Sequence, residues 1–239
     1  YSETGFSTFT HPIYGDELKN TFMMYQNREP RFYINVFWSG MTWHSGNVKK
    51  TDMQFYNGGN SGYGATQQNY TATGYLAHKF IDYTRDTATN GDKYDIATWG
   101  YLDWPIIRYA EILLNYVEAL NEYDPGNADI ETYLNKIRER GGLGPVQSDL
   151  NQSQMREQIR LERRIELCFE GQRFYDLRRW ATDATALNGS VSKPVISAAQ
   201  INRVEVEKRS YQSLWVPIPY TEMIRMEKMV QNEGWSNWE

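Results

Sequence analysis

Two apolar stripes of helical period, separated by YDPGN, constrain this chain more than any other feature. In DWPIIRYAEILLNYVEALNE, Ile106, Tyr109, Ala110, Leu113, Val117 and Leu120 recur at the spacing of one helix face. Pro105 suits a first helical turn, where its missing N–H leaves no bond unmade. Ile107 and Leu114 widen the apolar surface, so the spacing predicts a helix packed on more than one side. A second helix is predicted over about 128–140, with Ile130, Tyr133, Leu134 and Ile137 on one face and Gly141-Gly142 as its stop. Two antiparallel helices joined by a short turn make a hairpin, and stacked hairpins make a superhelix.

A third helical pattern follows. Ser153 is placed to cap it, and Met155, Ile159, Leu161, Ile165, Cys168 and Phe169 carry it toward Trp180. Glu162, Glu166 and Glu170, at i, i+4 and i+8, share one helix face. A di-metal bundle would need Glu-x-x-His pairs from several helices, and the histidines, His11, His44 and His78, all fall in the irregular first half. No metal or cofactor is therefore expected. Arg163, Arg164, Arg173 and Asp176 interleave with the acids, which predicts ion pairs. The same acids nearly match the arginines, and the net charge is −5. That argues against a nucleic-acid partner, which rewards excess positive charge. Cys168, the single cysteine, lies between Leu167 and Phe169 and reads as a small buried hydrophobe.

Residues 1–100 lack helical period and are rich in Gly, Asn, Thr and Tyr. RFYINVFWSG (31–40) reads as a strand entering a turn, and GYLAHKFID (74–82) as a short extended segment or helix turn. The stretch between them is a long Gly- and Asn-punctuated loop, the kind that is commonly functional. The aromatics, 18 Tyr and 8 Trp in the chain, crowd this half. Sugar rings stack on such faces while amides meet their hydroxyls. The candidate ligand residues are accordingly Phe9, Tyr14, Trp43, Tyr56 and Tyr63 as platforms, with Asn57 and Asn60 as hydroxyl partners. The competing reading makes each ring a core residue under the loops. A glycosidase would need two carboxylates set apart in a cleft, and Asp16, Glu17, Asp52, Asp82 and Asp103 offer no distinguished pair. No catalytic residue is assigned. Residues 181–200 read as loop, and Pro217 and Pro219 keep 215–219 extended ahead of a short helix. No apolar run is long enough to cross a bilayer. The start at Tyr1 reads as that of a processed or cleaved product.

Four segments, taken in order, resemble the SusD/RagB family of outer-membrane nutrient-binding lipoproteins of Bacteroidetes. RLERRIELCFEGQRFYDLRRW is similar to its C-terminal signature. REPRFYINVFWSG is similar to its Asp-Pro-Arg-Phe segment, with Glu29 at the Asp position. DWPIIRYAEILLNYVEALNE matches its Pro-x-x-Arg-Tyr-Ala-Glu helix, and LWVPIPYTEMIRMEKMVQNEGW its final Pro-Ile-Pro … Gln-Asn-Pro-Gly segment, with Glu233 in place of the second Pro. The resemblance implies a mainly α fold, a superhelix of tetratricopeptide-like helix pairs with long irregular loops and a little β. It implies that residues 1–239 are the C-terminal portion of a longer protein, with 1–100 on the ligand side and 101–239 as helical scaffold. It also implies no enzymatic activity. The expected role is capture of an oligosaccharide at the cell surface and its delivery to a SusC-like TonB-dependent transporter. The expected anchor is a lipid on an N-terminal cysteine outside this chain, and the missing N-terminal half is a further expected partner. Two alternatives stay open: a peptide or glycoprotein binder of RagB type, and a helical interaction scaffold with no small ligand.

Overall fold

The computed structural model describes residues 6–12, 15, 17–45, 48–56, 58–62, 71, 73–80, 104–196, 201–226 and 228–236. It divides into two compact units, Tyr1–Gly171 with Pro194–Asn202, and Gln172–Lys193 with Arg203–Glu239. The fold is mainly α, as the sequence predicts, with short paired strands.

In the first unit, β1 (Phe6–Thr10) and β2 (Glu17–Phe22) form an antiparallel ribbon with an irregularity between Ser7 and Phe9. Next comes α1 (Pro30–Asn35), where the sequence reading had placed a strand. Pro30 at the first helical turn starts this helix, and its six residues carry Arg31 and Asn35 to the same buried face. Only β3 (Val36–Phe37) is extended, paired with β6 (Leu76–Ala77). The hairpin of β4 (Thr42–Ser45) and β5 (Val48–Asp52) lies between them in sequence. These elements enclose an aromatic core of Phe22, Tyr25, Tyr33, Phe37, Trp38 and Phe55 with Leu18, Met24 and Met41. Trp38 is fully buried, stacked on His11 at 5.3 Å between ring centroids.

The predicted helical hairpin is α2 (Tyr109–Tyr123) and α3 (Ala128–Arg140). Its first helix begins at Tyr109 rather than near Pro105, because Arg108 keeps an extended backbone. Asn127 caps α3, accepting from the Asp129 N–H at 3.0 Å. Helix α4 (Gln152–Glu166) is capped by Asn151, not Ser153. Asn151 Oδ1 accepts from the Gln154 N–H, and Gln154 Oε1 accepts from the Asn151 N–H, both at 3.0 Å, a reciprocal capping box. Leu113, Leu114 and Val117 of α2, Ile130, Leu134 and Ile137 of α3, and Met155 and Ile159 of α4 form the second core.

The Gly141-Gly142 stop has a packing reason as well as a conformational one. A Cβ on Gly141 would lie 2.9 Å from Arg31 Nε. Gly142, at φ +73°, faces the Pro30 ring. Glycine here lets α1 approach the end of α3.

The single helix predicted over 153–180 is two. α4 ends at Glu166, a turn follows with Phe169 at φ 65° and Gly171 at φ 82°, and α5 (Gln172–Trp180) begins the second unit. β7 (Gly189–Ile196) and β8 (Ile201–Arg209) pair, so the loop predicted over 181–200 contains an eight-residue strand. The Pro217–Pro219 segment is extended, as predicted, and leads to α6 (Tyr220–Met223). Gln231 clamps it: its Oε1 accepts from the Ile218 N–H at 2.7 Å and its Nε2 donates to the Ile218 carbonyl at 3.0 Å.

Candidate functional site

The predicted carboxylate row is split between α4, which carries Glu162 and Glu166, and the turn after it, which carries Glu170, and all three side chains are buried in ion pairs. Glu166 accepts from Arg31 Nη1 at 2.8 Å and Arg108 Nη1 at 2.7 Å, and also pairs with Arg140. Glu162 pairs with Arg31 at 2.6 Å and Arg138 at 3.1 Å. Glu170 pairs with Arg108 at 2.6 Å and with Lys79. Ion pairs were the sequence expectation, but these partners come from α1, α3, the segment after β6 and the residue before α2. Lys79 Nζ and Arg108 Nη2 also donate to the Glu166 carbonyl at 2.8 and 2.7 Å, satisfying the open C-terminal end of α4.

Burial alone would raise the pKa of Glu166, but hydrogen bonds from Arg31 and Arg108 outweigh it and hold the carboxyl below its ordinary value. Burial acts the same way on Glu170, where Arg108 and Lys79 reverse it. Burial opposes the charge on Arg31, yet Glu29 and Glu166 stabilise the cation and raise its pKa. Glu166 and Glu170 are consequently ionised and paired, poor candidates for a general acid. Burial pushes the Cys168 thiol up, away from the thiolate a nucleophile needs. Among the described residues, no group of His, Cys, Asp and Glu is arranged to hold a metal ion.

The depressed carboxylates fix a pH response. The unfolded chain binds protons at these glutamates before the folded chain does, so stability rises with pH through that interval. Their contribution is complete above the ordinary glutamate pKa, about 4.3. It is lost as pH falls through the lower folded values. In a urea series we expect a flat midpoint from pH 7 to about 5, then a steep fall. The Glu170→Gln variant should fall less steeply; an unchanged slope would remove Glu170 from the acid response.

The aromatic half offers a different surface. Phe9 is half-buried, its ring stacked on Tyr33 at 5.7 Å, and Tyr56 is half-buried against the same aromatic core. Asn60 is exposed but occupied. Its Nδ2 donates to the Asp52 carbonyl at 2.7 Å, and its Oδ1 accepts from the Gln54 N–H at 2.9 Å and from Ser61 Oγ at 3.0 Å. It therefore pins the loop that carries Tyr56. Trp43 lies in β4, while Tyr14, Asn57 and Tyr63 lie outside the described residues. Several exposed rings lie outside the candidates that the sequence offers, among them Trp215, Tyr175 and Trp104. Trp104 is 53% exposed and braced by Phe80, with centroids 4.5 Å apart. It stands just before a helix, in DWP, where proximity to the scaffold disguised it. The available chemistry is flat aromatic faces and amides, without a poised acid, base, nucleophile or metal cluster among the described residues.

The sequence matches the SusD family over residues 8–235, and the chain belongs to that family. A SusD-like protein from Bacteroides fragilis shares 29% identity and superimposes with a TM-score of 0.73 over 89% of this chain and 40% of its own. A SusD-like carbohydrate binding protein from the same species, 21% identical with a TM-score of 0.52 over 78% of this chain and 38% of its own, shows the shared fold. SusD-like protein P2 of Formosa agariphila is 33% identical over 135 residues, 53% of this chain and 24% of that protein. The chain thus corresponds to well under half the length of these relatives. No helix among the described residues is long and apolar enough to cross a membrane.

Proposed function

We propose that this chain is the glycan-facing part of a non-catalytic nutrient-binding protein at the bacterial cell surface. The protein would be lipid-anchored to the outer membrane through a cysteine outside this chain. It would capture an oligosaccharide and pass it to a SusC-like TonB-dependent transporter. Membership of the SusD family over nearly the whole chain carries the reading. The neutralised carboxylates support binding rather than turnover, and the carbohydrate-binding relative supports a glycan.

Among the described rings, Tyr56 and Trp104 are the proposed sugar faces. Tyr14, Trp43, Tyr63 and Asn57 are proposed as further ligand residues on their side-chain chemistry alone. Phe9 supports the platform from the core side, and Asn60 holds the loop. Stacking on a few half-exposed rings leaves a modest net free energy once ligand and loops are ordered, so affinity is expected to be modest.

Titration of intrinsic tryptophan fluorescence with neutral oligosaccharides and with peptides tests the assignment. Saturable glycan binding, weakened about tenfold (~1.4 kcal/mol) in Trp104→Ala or Tyr56→Ala, is expected. Binding of peptides alone would move the protein to the RagB-type peptide reading. Unchanged affinity in both variants would place the site elsewhere.

A further inference from the structure

Glu170 sits in the turn that ends α4, between two residues in the left-handed region, Phe169 at φ 65° and Gly171 at φ 82°. A bulky side chain rarely adopts that conformation, and it persists where the surroundings demand it. The turn places one carboxylate, 4% exposed, between two cations from distant parts of the chain. Arg108 grips it with two bonds, Nε to Oε2 at 2.6 Å and Nη2 to Oε1 at 2.7 Å, and Lys79 Nζ donates to the same Oε1. Such a forked contact fixes geometry as well as neutralising charge.

Each cation stands beside one half of an aromatic pair. Phe80 follows Lys79 directly, and Trp104 lies four residues before Arg108, on a stretch stiffened by Pro105. The two rings, 4.5 Å apart, therefore belong to segments that are tied to the scaffold at Lys79 and Arg108. The Glu170 side chain is itself too buried to serve as a ligand contact. Glu162 is the contrast. It is buried as deeply, at 3%, but its partners Arg31 and Arg138 adjoin neither Phe80 nor Trp104 in sequence.

We propose that Glu170 is a positioning residue for the ligand surface. By holding Lys79 and Arg108 at one carboxylate, it fixes the Phe80–Trp104 pair in the orientation that a sugar ring meets. Its effect on binding passes through Trp104 and not through contact with the ligand. The inference deepens the glycan reading and rests on the role given there to Trp104.

Fluorine NMR of the complete polypeptide labelled with fluorotryptophan reads the ring directly and without ligand, the Trp104 and Trp38 signals being assigned by their loss in Trp104→Phe and Trp38→Phe. Glu170→Gln is expected to shift or broaden the Trp104 signal and leave that of Trp38 in place. Lys79→Met, which frees one segment and keeps the Arg108 fork, should displace the Trp104 signal less, and it serves where Glu170→Gln fails to fold. Glu162→Gln should lower the urea midpoint without moving the Trp104 signal. An unmoved signal in both Glu170→Gln and Lys79→Met would overturn the inference, as would an equal displacement by Glu162→Gln. In titrations with a panel of neutral hexasaccharides, Glu170→Gln should weaken binding about fivefold, and have no effect once Trp104 is replaced by alanine. Equal losses in both backgrounds would overturn a role exerted through Trp104. No binding by the wild type to any of them would overturn the glycan reading and the tie's ligand role with it; normal binding with an unmoved signal would overturn the tie alone.

Discussion

Replacing Glu166 with alanine should lower the unfolding free energy by about 3–5 kcal/mol, the cost of breaking a buried ion pair from one side. The Glu166 side chain is 2% exposed and is shared by Arg31, Arg108 and Arg140, which approach from three different segments. Without it, Arg31, only 8% exposed, loses a charge-assisted bond in a place water cannot refill. Glu166→Gln keeps the shape and an acceptor but not the charge, so its effect should fall between wild type and alanine. The contrast is Glu122, whose side chain is 47% exposed and which meets Arg156 at 2.6 Å. Glu122→Ala should cost less than about 1 kcal/mol and less still in high salt. Urea unfolding at neutral pH measures both. Similar costs for the two substitutions would mean that the buried network does not tie the segments together.

Trp38→Ala should be of comparable size, about 3–5 kcal/mol. The indole is fully buried, with Phe32 and Tyr33 each at 5.3 Å and Tyr25 at 6.1 Å in addition to His11. Its removal leaves a cavity that these large rings cannot close without leaving their own positions. Trp104→Ala is the informative companion. Half-exposed and packed on Phe80, Trp104 should matter little to stability and much to ligand binding. Stability loss at Trp104 equal to that at Trp38 would make it a core residue and remove it from the proposed platform.

The helical scaffold was legible because its physics is local. Ile130, Leu134 and Ile137 repeat at helix spacing, and YDPGN and Gly141-Gly142 interrupt it, so α3 could be bounded at Ala128–Arg140 from the chain alone. The break between α4 and α5 was not. Apolar residues continue through Leu167 and Phe169, and the helix ends because Lys79 and Arg108, distant in sequence, satisfy its last carbonyls. The same holds for α1. FYINVF has the composition of a strand, but Pro30 starts a helix and Arg31 is drawn toward Glu162 and Glu166, which lie more than a hundred residues away. That the glutamates were structural was readable from the interleaved arginines; which cations they would meet was not. For the ligand surface, sequence supplied the ring types but not their exposure. Exposure separates Trp38 from Trp104, and it is decided by tertiary packing.

The most direct test of the central claim, that this protein captures a glycan and does no chemistry on it, is calorimetric titration of the complete polypeptide with a panel of oligosaccharides, followed by chromatography of the end-point samples. The account predicts saturable heat with at least one oligosaccharide and recovery of that oligosaccharide unaltered. Shortened products in the end-point samples, or no binding to any oligosaccharide at millimolar concentration, would contradict it.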